Sequence, residues 1–97
     1  MKILKFGAIW CPGCLVMRPI FKKITEEMPE LVLEEYDYDM DIEMISKWEI
    51  GRKLPVYIFV DQNNNEIIRL IGEQKKDKLI EIINQNIEKW VWVNESN

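Results

Sequence analysis

What most constrains the fold of this chain is Trp10-Cys11-Pro12-Gly13-Cys14, which separates a short apolar run from a helical pattern and holds the only two cysteines of the 97 residues. Proline directly after Cys11 suits the first position of a helix, where its missing N–H had no helical partner. The pentad therefore reads as a strand-to-helix turn. Two cysteines three positions apart can also close a disulfide within one helical turn, so the turn carries chemistry as well as geometry.

The segments on either side fit that reading. Ile3 to Ala8 is a short apolar run broken only by Lys5, and its length predicts a buried strand. From Pro12, Leu15, Val16, Ile20, Phe21, Ile24 and Met28 recur at three- and four-residue spacings and predict a helix that Pro29 stops, with Pro19 expected to kink it. Leu31 to Asp39 predicts a second strand. Asp39 or Asp41 is expected to cap a short helix through Met44, Ile45 and Trp48 that ends at Gly51. Behind Leu54-Pro55, the continuous apolar run Val56 to Val60 predicts a central strand. Asp61 to Asn65 is a polar turn, Glu66 to Ile71 an antiparallel partner, and Gly72 closes the hairpin. Leu79, Ile82, Ile83, Ile87, Trp90 and Val91 trace one face of a last helix, with Asn94 to Asn97 expected to fray.

The order βαβαββα predicts an α/β fold, a four-stranded mixed sheet flanked by helices, and the length predicts a single domain over 1–97. In such a sheet the turn after the first strand lies at its carboxyl end, where sites commonly form. That turn is the cysteine pentad.

Composition narrows the chemistry. The net charge of −4 and the absence of a basic block longer than Lys75-Lys76 argue against nucleic acid. No run approaches the ~20 apolar residues of a membrane span, and the apolar N-terminus is too short for a secretory signal, so a cytoplasmic setting is expected. There a close cysteine pair is more often catalytic than structural. Zinc needs three or four protein ligands, and the chain has no histidine and no third cysteine, so no metal is expected. Inert buried thiols are the remaining alternative, for which Trp10 and the intervening Pro-Gly are unusual neighbours. The six acids from Glu34 to Glu43 read as a solvated strand end and a helix cap rather than a cation site.

At the start of a helix, Cys11 lies over the unpaired amides of the first turn, with the N–H groups of Gly13 and Cys14 free to point at its sulfur, so a thiolate is favoured there. Cys14, one turn further in, is expected to be less exposed and to keep a higher pKa. This predicts Cys11 as nucleophile and Cys14 as the resolving cysteine.

The pentad, Pro19 five residues after the second cysteine, Leu54-Pro55 before an apolar strand, and Gly72 after the hairpin together resemble the thioredoxin family over nearly the whole chain. The resemblance implies a thioredoxin-like fold and thiol:disulfide oxidoreductase activity without a cofactor beyond a Cys11–Cys14 disulfide. It implies that Pro55 is a cis proline facing the cysteines, and that the backbone of Leu54 pairs with a bound substrate chain. Trp10, Leu54 and Gly72, with Pro12 and Gly13 of the motif, would form the rim on which a protein disulfide docks. The chain departs from the family in three ways. Only ten residues precede Cys11, which implies the smaller core of glutaredoxins. The acidic residue expected six positions before the first cysteine is Lys5, and the bulky aromatic two positions later is Gly7. The dipeptide is Pro-Gly rather than Gly-Pro. On this alignment a family lysine falls at Glu35, so Lys5 and Glu35 are expected to adjoin below the site as a charge-swapped pair, Glu35 moving the proton of Cys14; the alternative is that Lys5 snorkels to solvent.

The expected function is a monomeric protein thiol:disulfide oxidoreductase that reduces protein disulfides with electrons from a flavin-dependent thioredoxin reductase. The alternative is a glutaredoxin-like enzyme that uses glutathione, with Arg52 and Lys53 beside Pro55 as the basic residues for its carboxylates. A third reading, of another class, is an adaptor or a dimer bridging a metal or iron–sulfur centre with two cysteines from each chain.

Overall fold

A computed structural model describes the backbone of residues 2–95 and the side chains of residues 2–86. The elements are β1 (Lys2–Gly7), α1 (Pro12–Glu27), β2 (Val32–Asp37), α2 (Ile42–Lys47), β3 (Val56–Val60), β4 (Glu66–Ile71) and α3 (Lys76–Glu95). The strands form one sheet in the order β2-β1-β3-β4. β1 runs parallel to β2 and antiparallel to β3, which pairs antiparallel with β4. This is the mixed α/β sheet expected from the order of elements.

Strand alternation divides the core between the two faces of the sheet. Ile3, Tyr57 and Phe59 pack with Met17, Phe21 and Ile24 of α1 and with Leu79, Ile82 and Ile83 of α3. Leu4, Phe6, Val56, Ile58 and Val60 form the other cluster, with Ile50 and with Met44, Ile45 and Trp48 from the region of α2. β3 is buried along its whole length because both faces are covered. Lys5 shares the α1 face of β1 with Ile3, which places a cation inside the first cluster.

Three local expectations need correction. Leu15 and Val16 are 55% and 51% exposed, whereas Met17 is fully buried. The face that meets the sheet runs through Cys14, Met17, Phe21 and Ile24 at three- and four-residue steps, and the two preceding apolar residues are rotated off it by about 100° per residue. β2 ends at Asp37, two residues short of Asp39, because the Asp37 carboxylate accepts the N–H groups of Asp39 and Met40 and turns the chain. Asp41 sits at the N-cap of α2 but makes no side-chain cap bond; its carboxylate accepts the N–H of Asp37 at 2.7 Å.

The end of α2 also differs. The residue with left-handed backbone is Glu49 (φ 52°), not Gly51. Glu49 N–H bonds to Ser46 C=O and Ile50 N–H to Ile45 C=O, a complete Schellman closure two residues before the glycine. Arg69 on β4 then caps the helix by donating to the carbonyls of Trp48 (2.8 Å) and Glu49 (3.4 Å). α3 runs to Glu95, past the Asn94 at which fraying is expected. The side chains of Ile87, Trp90, Val91 and Trp92, and all of Ser96 and Asn97, lie outside the described residues.

Candidate active site

The cysteine motif is built as the sequence requires. β1 ends at Gly7, Cys11 N–H bonds back to Ala8 C=O at 3.2 Å, and Cys11 takes the extended backbone of an N-cap (φ −93°, ψ 110°). Pro12 fills the first helical position. Cys11 Sγ accepts the N–H of Cys14 at 3.2 Å, in the position a capping oxygen usually holds. Among the described residues no such bond comes from Gly13. Both cysteines are free thiols.

Gly13 is buried, and a Cβ there would lie 3.1 Å from Pro55 Cδ and 3.1 Å from Glu73 Cγ. The start of α1 therefore presses directly on the Leu54–Pro55 peptide, which is cis. Gly72, at φ 91°, donates its N–H to Pro55 C=O at 2.7 Å and carries the β3–β4 ladder up to the motif. The side chain of Leu54 is half-buried on the α2 face. Trp10 is 54% exposed. Its indole N–H is tied to Asp39 Oδ2 at 2.7 Å, and its ring meets Tyr38 edge-on.

Cys14 does not match expectation in one respect: it is no less exposed than Cys11, at 7% against 3%. The cause is Gly7. A Cβ at that position would stand 3.0 Å from Cys14 Sγ, and its absence leaves the sulfur on a cavity of about 240 Å³ lined also by Lys5, Arg18, Glu35 and Asp41. Burial, then the contact with Cys11, push the Cys14 thiol up to about 11, while the charge of Lys5 pulls the other way.

Lys5 and Glu35 are register partners across β1 and β2, and their side chains meet at 3.2 Å. The Lys5 side chain is only 8% exposed and that of Glu35 65%. The ammonium thus ends on a carboxylate at the sheet edge instead of snorkelling into bulk water, and it lies 5.8 Å from the centre of the Phe21 ring. On the other side of Lys5, across β1 and β3, is Tyr57. Its ring stacks on Phe21 at 4.6 Å, and its hydroxyl is enclosed without a hydrogen-bond partner among the described residues. Among the described residues no cluster of three or more metal-ligating side chains is present.

Sequence reading missed three residues of this site. Asp39 was counted with the solvated acids, and only its two-residue offset from the end of β2 brings it to Trp10. Glu73 carried no signal before Gly13 was seen to touch it. Tyr57 was hidden inside an apolar run, where its one polar atom has meaning only from the register beside Lys5.

Comparison with known proteins agrees with this arrangement. The family model Thioredoxin matches residues 1–85. Thioredoxin H5 of Oryza sativa subsp. japonica is 35% identical over 75 residues, which cover 77% of this chain and 54% of the rice protein. A thioredoxin of Ophiophagus hannah is 30% identical over 81 residues, covering 84% of this chain and 74% of that one. The X-ray structure of Fasciola hepatica thioredoxin superposes with a TM-score of 0.77 at 26% identity, over 87% of this chain and 78% of that one. The chain spans about half the length of the rice thioredoxins it matches, 54% to 57%. No helix among the described residues is long and apolar enough to cross a membrane. With the family model spanning both cysteines, the cis Leu54–Pro55 bond and all four strands, this chain belongs to the thioredoxin family.

Proposed function

We propose that the chain is a thiol:disulfide oxidoreductase that reduces disulfides of proteins, with Cys11 as nucleophile and Cys14 as resolving cysteine. The observation that carries this reading is the Cys14 N–H donated to Cys11 Sγ at a helix start, with the second free thiol one turn behind it. The Cys11 thiolate attacks one sulfur of a substrate disulfide, forming a mixed disulfide and expelling the other sulfur as a thiolate that takes up a proton. Cys14 then loses its proton and attacks the Cys11 sulfur, closing the Cys11–Cys14 disulfide and releasing the second substrate thiol. Two electrons have passed to the substrate, and a reductant must restore the dithiol.

The docking surface proposed for the substrate is the rim of Trp10, Pro12, Gly13, Leu54, Pro55 and Gly72, the backbone of Leu54 pairing with the incoming chain. The half-exposed Trp10 ring, fixed by Asp39, supports an apolar contact there. The proposed setting is the cytoplasm, acting as a monomer, and the proposed donor is a flavin-dependent thioredoxin reductase. Turnover of insulin disulfides with that reductase but not with glutathione and glutathione reductase is the expected result. Turnover with glutathione alone moves the donor assignment to glutathione, and no turnover with either overturns the oxidoreductase reading.

With its pKa near 11, Cys14 is thiolate in only about one molecule in ten thousand at pH 7, so the second step needs a proton acceptor. We assign this to Glu35. Its carboxylate is open to solvent, holds Lys5 at 3.2 Å, and shares a cavity with Cys14. The Lys5 ammonium steadies the thiolate as it forms, while the Cys14 proton leaves by way of the Glu35 carboxylate. Glu35→Gln is expected to slow closure of the Cys11–Cys14 disulfide by up to about 100-fold between pH 6 and 9. Rates indistinguishable from the unaltered protein over that range would remove Glu35 from the mechanism.

A further inference from the structure

We infer that the Tyr57 hydroxyl is the hydrogen-bond donor that receives the resolving thiolate, positioning and stabilising the Cys14 sulfur as it attacks the mixed disulfide. This rests on the proposed dithiol mechanism and adds to it a residue on a third element.

The placement comes from the sheet. Tyr57 on β3 faces Lys5 on β1, which in turn faces Glu35 on β2, so the three form one row across the strands. The Phe21 ring covers the row, stacked on Tyr57 at 4.6 Å and lying 5.8 Å from Lys5 Nζ. Cys14 is seven residues before Phe21, close to two helical turns, so both project from one face of α1, and Cys14 Sγ stands against Gly7, two residues beyond Lys5 on β1.

The hydroxyl is the odd feature of this row. Tyr57 is fully buried and its oxygen has no hydrogen-bond partner among the described residues. A buried unpaired hydroxyl is destabilising, a cost that phenylalanine in the same slot would avoid. The rest of β3 is Val56, Ile58, Phe59 and Val60, so nothing else on the strand requires a polar atom. A donor left unsatisfied in the resting dithiol is accounted for if its acceptor appears only during the reaction.

The ionisable groups that face it are few. After burial, the charges that hold the Tyr57 phenol in its protonated form come first from Cys14, then Cys11, then Glu35 and Glu73. Glu35 is engaged by Lys5, and Glu73 lies on the exposed side of Gly13. Lys5, Arg18, Asp37 and Asp41 are the other charged groups lining the cavity at Cys14. A thiol is a weak acceptor and a thiolate a strong one, so the O–H···S bond forms only as Cys14 loses its proton. Tyr57 keeps its own proton throughout; the Cys14 proton leaves toward Glu35, and the thiolate attacks the Cys11 sulfur. The hydroxyl thus acts on charge that develops in the transition state.

The test uses Tyr57→Phe and an aromatic disulfide that releases a coloured thiolate twice, first on attack by Cys11 and again on closure by Cys14. The expected result is an unchanged first release, a second release slowed about 10-fold, and a midpoint of its pH profile raised by about one unit, since tenfold in thiolate stabilisation is one pKa unit. Thermal melting of the variant is expected at or above that of the unaltered protein, because the orphan hydroxyl is gone. A second release unchanged in rate and pH midpoint overturns this inference alone. A second release slowed equally at every pH with a lowered melting temperature also overturns it, since that is damage to packing. Absence of any second release in the unaltered protein overturns the inference together with the dithiol mechanism.

Discussion

Reduced Cys14→Ser protein mixed with a cell lysate is expected to accumulate as mixed disulfides with many proteins, while Cys11→Ser accumulates none. The asymmetry follows from the motif. Cys11 Sγ occupies the N-cap and accepts the N–H of residue 14, a backbone bond that serine at position 14 leaves in place. The first attack therefore survives in Cys14→Ser, and the covalent adduct has no second thiol to release it. Cys11→Ser keeps only Cys14, whose thiol is held near 11 by burial and by its neighbour and which lies behind the motif on the Gly7 cavity. Multiple-turnover reduction of a protein disulfide should fall to the rate of the reductant alone in either variant. The double variant should be no worse than either single, because the two sulfurs act as one unit. Adducts with glutathione and no protein would favour the glutathione-dependent alternative, and no adduct at all would favour an adaptor. Raising the pH should speed release in the unaltered protein, since the Cys14 thiolate fraction grows about tenfold per unit below its pKa.

The order of elements and the cysteine motif were legible in the sequence because both are written in local signals. Apolar runs of strand length, proline after Cys11 and the polar turn before Glu66 each act within a few residues. Errors gathered where two patterns of the same period overlap. Leu15 and Val16 obey helical spacing as well as Met17, Phe21 and Ile24 do, and only docking on the sheet selects which stripe is buried. At the end of α2 the glycine rule pointed to Gly51, but Arg69 of β4, far along the chain, supports a left-handed Glu49 instead. The charge-swapped pair lay between these cases. Lys5 and Glu35 could be matched through the family resemblance, whereas their 3.2 Å contact depends on a parallel register that no local signal specifies. Tyr57 was furthest from reach, since its meaning lies in having no partner.

The largest stability effect is expected from Phe21→Ala. Phe21 is 2% exposed, and its ring lies between the helix and the row of Tyr57 and Lys5. Removal of a buried phenylalanine costs about 3–5 kcal/mol through lost transfer energy and the cavity left behind. At about 4–8 °C per kcal/mol for a chain of this size, the melting temperature should fall by tens of degrees. Phe21→Leu refills much of the volume but not the stack or the contact with the ammonium, which together are worth about 1–3 kcal/mol. The two variants thus separate packing from ring chemistry. If the ring orders the site, Phe21→Leu at a temperature where it is fully folded should slow the Cys14 step and leave attack by Cys11 unchanged. Equal slowing of both steps, or of neither, would mean that the ring only fills space. The physical basis for the first outcome is that Lys5 and Tyr57 have no other described aromatic face to hold them. A single α1 side chain then supports the hydrophobic core and, two turns away along the same face, the geometry behind the Cys14 sulfur.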